Sequence, residues 1–264
     1  MTESFILSDY IDHHPGLAMD SRDMAAVQSA YDLIADDGQE APEAPEARPA
    51  EPQPVPLPDN PLAQEDLENT IYFLARTAQI YDEGTGNHTR RVNEYSYFLA
   101  QTLGMKPDFC DEIHYSAQLH DLGKISVNPV VLSKAGPLND TERQEMDNHT
   151  VYGHRILSQS PQLAMAAEIA LNHHEKWDGT GYPNALGGED IPLSARITQV
   201  ADIYDALRTA RSYKPAFDHK TALKIILSGD SRIDSAGHFD PRLIEVFADS
   251  HADFDRIWHE LSDR

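Results

Sequence analysis

The residues that could do chemistry in this chain are histidines and aspartates, gathered in short clusters. "NHH" at 172–174 sets His173 beside His174 and runs into a turn of Gly179, Thr180, Gly181, Tyr182 and Pro183. "HD" at 120–121 pairs His120 with Asp121, and His88, His149 and Asp202 complete the set. Imidazole and carboxylate without thiolate suit iron, manganese or zinc better than softer-site metals. Buried charges must be paired or coordinate a metal. Few buried basic partners are expected near these seven groups in sequence, so one or two divalent cations would satisfy them. No single piece decides this, because a lone helical histidine is more often a core or surface residue. "DHHPG" at 12–16 even repeats the histidine pair. His13 and His14 lack an inward carboxylate and read as a surface pair in an acidic, turn-rich segment.

The elements that must position these groups are helices. In 87–104, Val92, Tyr95, Leu99 and Leu103 share a face that stops at Gly104, a helix and its C-terminal signal. The pattern repeats through Phe109, Ile113, Ala117 and His120, with Gly123 expected just past that helix. Asn139, with Glu142 three residues on, opens a further helix that puts His149, Tyr152, Gly153 and Ile156 on one face. His173 follows Leu163, Ala166, Ala167 and Ala170 on one stripe. Asp202 sits among Ala195, Thr198, Ala206 and Thr209, small residues that leave room around a carboxylate. The tail from 240 onward adds one or two helices. The expected fold is all-α: six or more helices in one compact bundle over 62–264.

The first part of the chain reads differently. Residues 1–60 hold thirteen Asp or Glu against Arg22 and Arg48. A short amphipathic helix is expected within 1–38, with Met24, Val27, Tyr31 and Ile34 at helical intervals. It would serve a protein partner, self-association or nothing beyond packing. Residues 39–61 form a Pro, Ala and Glu tract that cannot bury enough apolar surface to fold, an extended linker. The net charge of −23 disfavours nucleic-acid polymers and anionic membranes as partners. One cysteine, Cys110, excludes an internal disulfide framework. The first residues show no basic stretch followed by an apolar run, and no segment is apolar for long enough to span a bilayer, so the expected location is the cytoplasm.

Taken together, "HDLGK" at 120–124, "HTVYGHRIL" at 149–157, "NHHEKWDGTGYP" at 172–183 and "ARITQVADIYDAL" at 195–207 resemble the HD-GYP phosphodiesterases. "DEGTGNHTRRV" at 82–92 and "RSYKPA" at 211–216 resemble the opening and closing motifs of that family. The resemblance covers about residues 65–260. It implies an all-helical HD domain that hydrolyses cyclic di-GMP. It further implies that His120 and Asp121 bind metal, with Asp121 bridging two ions. His149, His173 and His174 would hold one ion and Asp202 the other, with His88 completing the first site or serving a third. Lys124 and Arg211 would contact substrate phosphates, and Gly181, Tyr182 and Pro183 would line the pocket. Asp121 and Lys124 are thus the expected catalytic residues. The implied cofactor is a pair of iron or manganese ions, with zinc, nickel and magnesium as alternatives. Some members carry Glu four residues before the first histidine to ligate a third metal; here that position is Gly84. Two metals are therefore expected, with 5'-pGpG as product and GMP only if hydrolysis continues. The competing readings are a weakly active module that signals by binding cyclic di-GMP or a protein, an HD enzyme for another nucleotide, and a di-iron oxygenase.

Overall fold

The computed structural model describes residues 71, 75, 87–134, 136–210 and 215–261. The expected helix within 1–38, the linker at 39–61, Gly84 and Arg211 lie outside the described residues. Helix α1 spans His88–Thr102. Val92, Tyr95 and Leu99 form its fully buried stripe, and Gly104 beyond it takes φ 72°, the left-handed stop that its sequence called for. Helix α2 spans Pro107–Ser116 with proline at its first position.

Two expectations about helix continuity need correcting. The spacing through His120 suggested one helix, but α2 ends at Ser116. Turns of 3-10 helix, Ala117–Leu119 and Leu122–Ser126, then carry the chain around His120 and Asp121. Gly123 therefore lies inside the second turn, not past a helix end. This segment packs so close to the start of the helix at 149–157 that a Cβ on Gly123 would stand 1.9 Å from the His149 carbonyl oxygen. The stretch from Asn139 is also two helices. Helix α3, Asp140–Asp147, opens with a full capping box between Asn139 and Glu142; helix α4, His149–Leu157, follows a bend at Asn148. The bend turns α4 so that His149, Gly153 and Leu157 face inward, while Ile156 is 38% exposed.

Helix α5 spans Ala164–Asn172, α6 Leu193–Arg208, α7 His219–Ser228 and α8 Pro241–Glu260. The Asp218 side chain caps α7, a helix with no counterpart in the motif reading, and Asp240 caps α8. The main core gathers α1, α6, α7 and α8. Tyr95 stacks on Phe254 at 4.9 Å, and Tyr204 meets both edge-on. Burying each such side chain contributes about 1.5–3 kcal/mol. Among the described residues there is no strand, only an isolated bridge between Asp178 and Gly187. The all-α expectation holds. No described helix is long and apolar enough to cross a membrane.

Candidate metal centre

Five separate pieces of chain deliver their polar groups to one point. His88 opens α1, His120 and Asp121 occupy the turn after α2, and His149 opens α4. His173 and His174 follow the end of α5, and Asp202 projects from α6. One group of possible donor atoms comprises His88, His120 and Asp121; another comprises Asp121, His149, His173 and His174. Asp121 belongs to both, one oxygen to each side. Its Oδ2 lies 3.2 Å from His120 Nε2, and its Oδ1 lies 3.3 Å from His149 Nε2 and 3.7 Å from His173 Nε2. Asp202 Oδ1 joins the first group, 3.4 Å from His88 Nε2 and 3.7 Å from His120 Nε2.

The backbone orients the imidazoles. His120 Nδ1–H donates to Ala117 O at 2.9 Å and His149 Nδ1–H to Met146 O at 2.7 Å. His173 Nδ1–H is shared between Ile169 O and Ala170 O, each at 3.1 Å. A carbonyl can only accept, so each ring carries a proton on Nδ1 and turns Nε2 toward the centre. The consequence is that the Nε2 atoms and the Asp121 carboxylate crowd together around one centre, with the Lys124 ammonium at its edge. His149 Nε2 and His173 Nε2 face each other at 3.5 Å. His120 Nε2 and Asp121 Oδ1 are buried without a hydrogen-bond partner. Buried polar atoms left without a partner cost free energy, and a metal ion that replaces the His120 proton would join them. The donor set fits divalent metals of intermediate hardness.

Charge follows the same logic. Burial alone would keep His120 neutral, but Asp121 and Asp202 overcome it and push its pKa up to about 9. Burial favours the neutral acid at Asp121, yet Lys124 and His120 hold it well below the usual carboxylate range. Burial pushes His149 down to about 4 and His174 well below its ordinary value, with neighbouring imidazoles adding to the effect at His174. That leaves both rings neutral and able to donate a lone pair at neutral pH.

The motif reading missed two supporting residues. His88 Nδ1–H donates to Asp205 Oδ2 at 2.7 Å, which turns His88 Nε2 toward Asp202. Asp205 is fully buried and is clamped by the fully buried Arg91 through bonds of 2.6 Å and 3.0 Å. Although burial favours its neutral form, His88 and Arg91 keep Asp205 ionised. Its position one turn after Asp202 on α6 was the signal available in sequence.

Lys124 lies at the centre, its Nζ 2.8 Å from Asp121 Oδ2. Tyr182 stacks on His174, ring centroids 4.8 Å apart and 28° from parallel. Burial raises the Tyr182 phenol, and Asp147 and Asp121 add to the effect, so it stays protonated. Gly181 is folded against the backbone of 174–176, and Pro183 is exposed.

A family model for the HD domain matches residues 73–243. A cyclic di-GMP phosphodiesterase of Vibrio cholerae is 44% identical over 67% of this chain and 38% of its own length. A 3'3'-cGAMP-specific phosphodiesterase 2 of the same organism is 38% identical over 76% of this chain and 38% of its own. The chain thus spans less than half the length of these curated relatives. A crystal structure of a cyclic GMP-AMP specific phosphodiesterase from V. cholerae shares the fold, with a TM-score of 0.56 at 19% identity, covering 75% of this chain and 51% of that one.

Proposed function

The chain belongs to the HD domain family, in its HD-GYP branch, and from that premise we propose that it is a metal-dependent phosphodiesterase that opens cyclic di-GMP to 5'-pGpG. The observation that carries this reading is the two-sided Asp121, with acceptor clusters on both of its oxygens. His88, His120 and Asp202 would hold one divalent ion and His149, His173 and His174 the other, with Asp121 shared. Iron or manganese suits this donor set. Bound there, such ions supply Lewis acidity and lower the pKa of water.

The protein's own groups account for the rest. Hydrogen bonds from Nδ1 to the backbone keep the imidazoles preorganised, so no reorientation is needed when charge develops. The Lys124 ammonium is placed to meet phosphate oxygen as it shifts from Asp121, and Arg211 is proposed as a second phosphate contact. Gly181, Tyr182 and Pro183 form the wall on which a guanine can lie, Tyr182 offering a ring face and a protonated hydroxyl. Water adds to one phosphorus, the bond to the ribose 3'-oxygen breaks, and that oxygen takes a proton, leaving a 5'-phosphate. Gly84 in place of a third carboxylate supports two ions and a stop at pGpG.

The relative named as specific for 3'3'-cGAMP, at 38% identity, favours a second reading, in which the hybrid cyclic dinucleotide is the preferred substrate. Anaerobic purification, metal analysis and product chromatography with both cyclic dinucleotides test the two together. Two ions per chain and pGpG from cyclic di-GMP are expected, with Asp121→Ala inactive although folded. Turnover of neither compound with iron or manganese present would leave the chain a binding module.

A further inference from the structure

Glu175 follows the histidine pair directly, yet its side chain turns away from the acceptor cluster and is only 1% exposed. Its Oε1 accepts the Asn184 backbone N–H at 2.7 Å and its Oε2 the Leu186 N–H at 3.0 Å. Its own carbonyl accepts from Gln199 Nε2 on α6. The segment it holds is a closed loop. Asp178 and Gly187 bridge its neck, Gly188 N–H donates to Trp177 O at 2.8 Å, and Tyr182 N–H donates to His174 O at 3.3 Å. The neck is docked in turn on 237–238, where Trp177 N–H and Asp178 N–H donate to the His238 and Gly237 carbonyls. A Cβ on Gly181 would stand 2.4 Å from Lys176 N and 2.5 Å from Glu175 Cα, so the turn lies flat on the Glu175 backbone.

We propose that Glu175 is a positioning residue for the substrate wall: its buried carboxylate gathers the Asn184 and Leu186 amides and thereby seats Tyr182 against His174. The inference rests on the proposed phosphodiesterase reading and deepens it, because it separates the residues that hold metal from the one that shapes the pocket. Burial of a carboxylate is tolerated only when its oxygens are satisfied. Here both are satisfied by the turn itself, so carboxylate and turn depend on each other. The carboxylate is not among the groups of possible metal donors. Its loss should therefore reach substrate binding first.

The variants are Glu175→Gln and Glu175→Ala in the full chain. Glutamine keeps the volume, but its amide nitrogen must face one of the two N–H groups, donor against donor. For both variants KM for cyclic di-GMP is expected to rise at least about tenfold while kcat and metal stoichiometry stay near wild type, since misplacing a binding surface removes substrate affinity. Hydrogen exchange of the peptide covering 180–187 should accelerate as the Asn184 and Leu186 amides are released. Glu175→Asp, which can reach only one amide at a time, should fall between. The idea is overturned if KM holds within twofold and the 180–187 amides remain protected. It is equally overturned if kcat and metal content fall together with KM unchanged, because that marks support of His174. Exchange at 180–187 is read without substrate, so it tests the positioning role even if wild-type protein fails to hydrolyse cyclic di-GMP. Failure of wild-type turnover, by contrast, counts against the proposed function alone.

Discussion

At the scale of single residues, the centre is governed by which imidazole nitrogen faces it. His88 depends for this on Asp205, whereas His120, His149 and His173 use backbone carbonyls. A carboxylate partner also raises ligand basicity, so Asp205→Asn is expected to weaken metal binding on the His88 side by about 10- to 100-fold. Competition against a chromogenic chelator would measure it, and an unchanged affinity would remove Asp205 from the site. His120 gives a pH prediction. Its pKa of about 9 in the metal-free fold exceeds its ordinary value of 6.5. Its proton therefore stabilises that fold fully below about pH 6.5, and the contribution is lost as pH rises through about 9. A metal must displace the same proton. Loading at pH 7 to 8 should release about one proton per chain, and affinity should increase with pH up to about 9. Calorimetry in buffers of different ionisation enthalpy reads that proton directly; no buffer dependence would contradict the assignment.

At the scale of elements, the decisive contact lies between the 122–126 turn and α4. A Cβ on Gly123 would fall 1.9 Å from His149 O and 2.4 Å from Gly153 N, backbone atoms that cannot step aside. Across α4, Gly153 faces the Ala170 Cβ of α5. Three elements that carry the HD pair, His149 and the histidine pair are thus pressed together at positions without side chains. Gly123→Ala is expected to cost about 1–3 kcal/mol by overpacking, and to lower metal stoichiometry as Asp121 moves off His149. Urea unfolding with metal analysis would show both effects. Gly136→Ala, where nothing lies within 4 Å, is the matched control. The helix breaks at Ser116 and Asn148 belong to the same scale. Apolar spacing indicated that helices were present, but not that they would end at these two residues.

At the scale of the whole molecule, charge and stability converge on the same centre. A net charge of −23 opposes an anionic substrate. Bound cations would supply the local positive charge that the acidic chain lacks. Because donors come from α1, the turn after α2, α4, the end of α5 and α6, a bound ion ties together elements far apart in sequence. Binding to the folded state alone stabilises it by about 2.7 kcal/mol at one hundred times Kd, so chelation should lower Tm by several degrees and readdition of iron or manganese should restore it. Calorimetric scans with and without chelator would check this, and identical scans would count against a bound metal.

The sequence by itself determined the helical class, the order of the motifs and the seven groups that gather at the centre. Helical periodicity reports which face is apolar, and the motifs are local strings. What it could not reveal was the company each group keeps across the fold. Asp205 meets His88 at a separation of 117 residues and Arg91 at 114. Periodicity says that Asp205 points inward but not what it meets there. Glu175 is adjacent in sequence to the histidine pair, yet only the folded turn sets its carboxylate toward the amides and away from the acceptor cluster. The direction of every Nε2, the two faces of Asp121 and the seating of Tyr182 were likewise decided by tertiary packing. Hydrogen bonds depend on distance and angle in space, and those are absent until the helices close on one another.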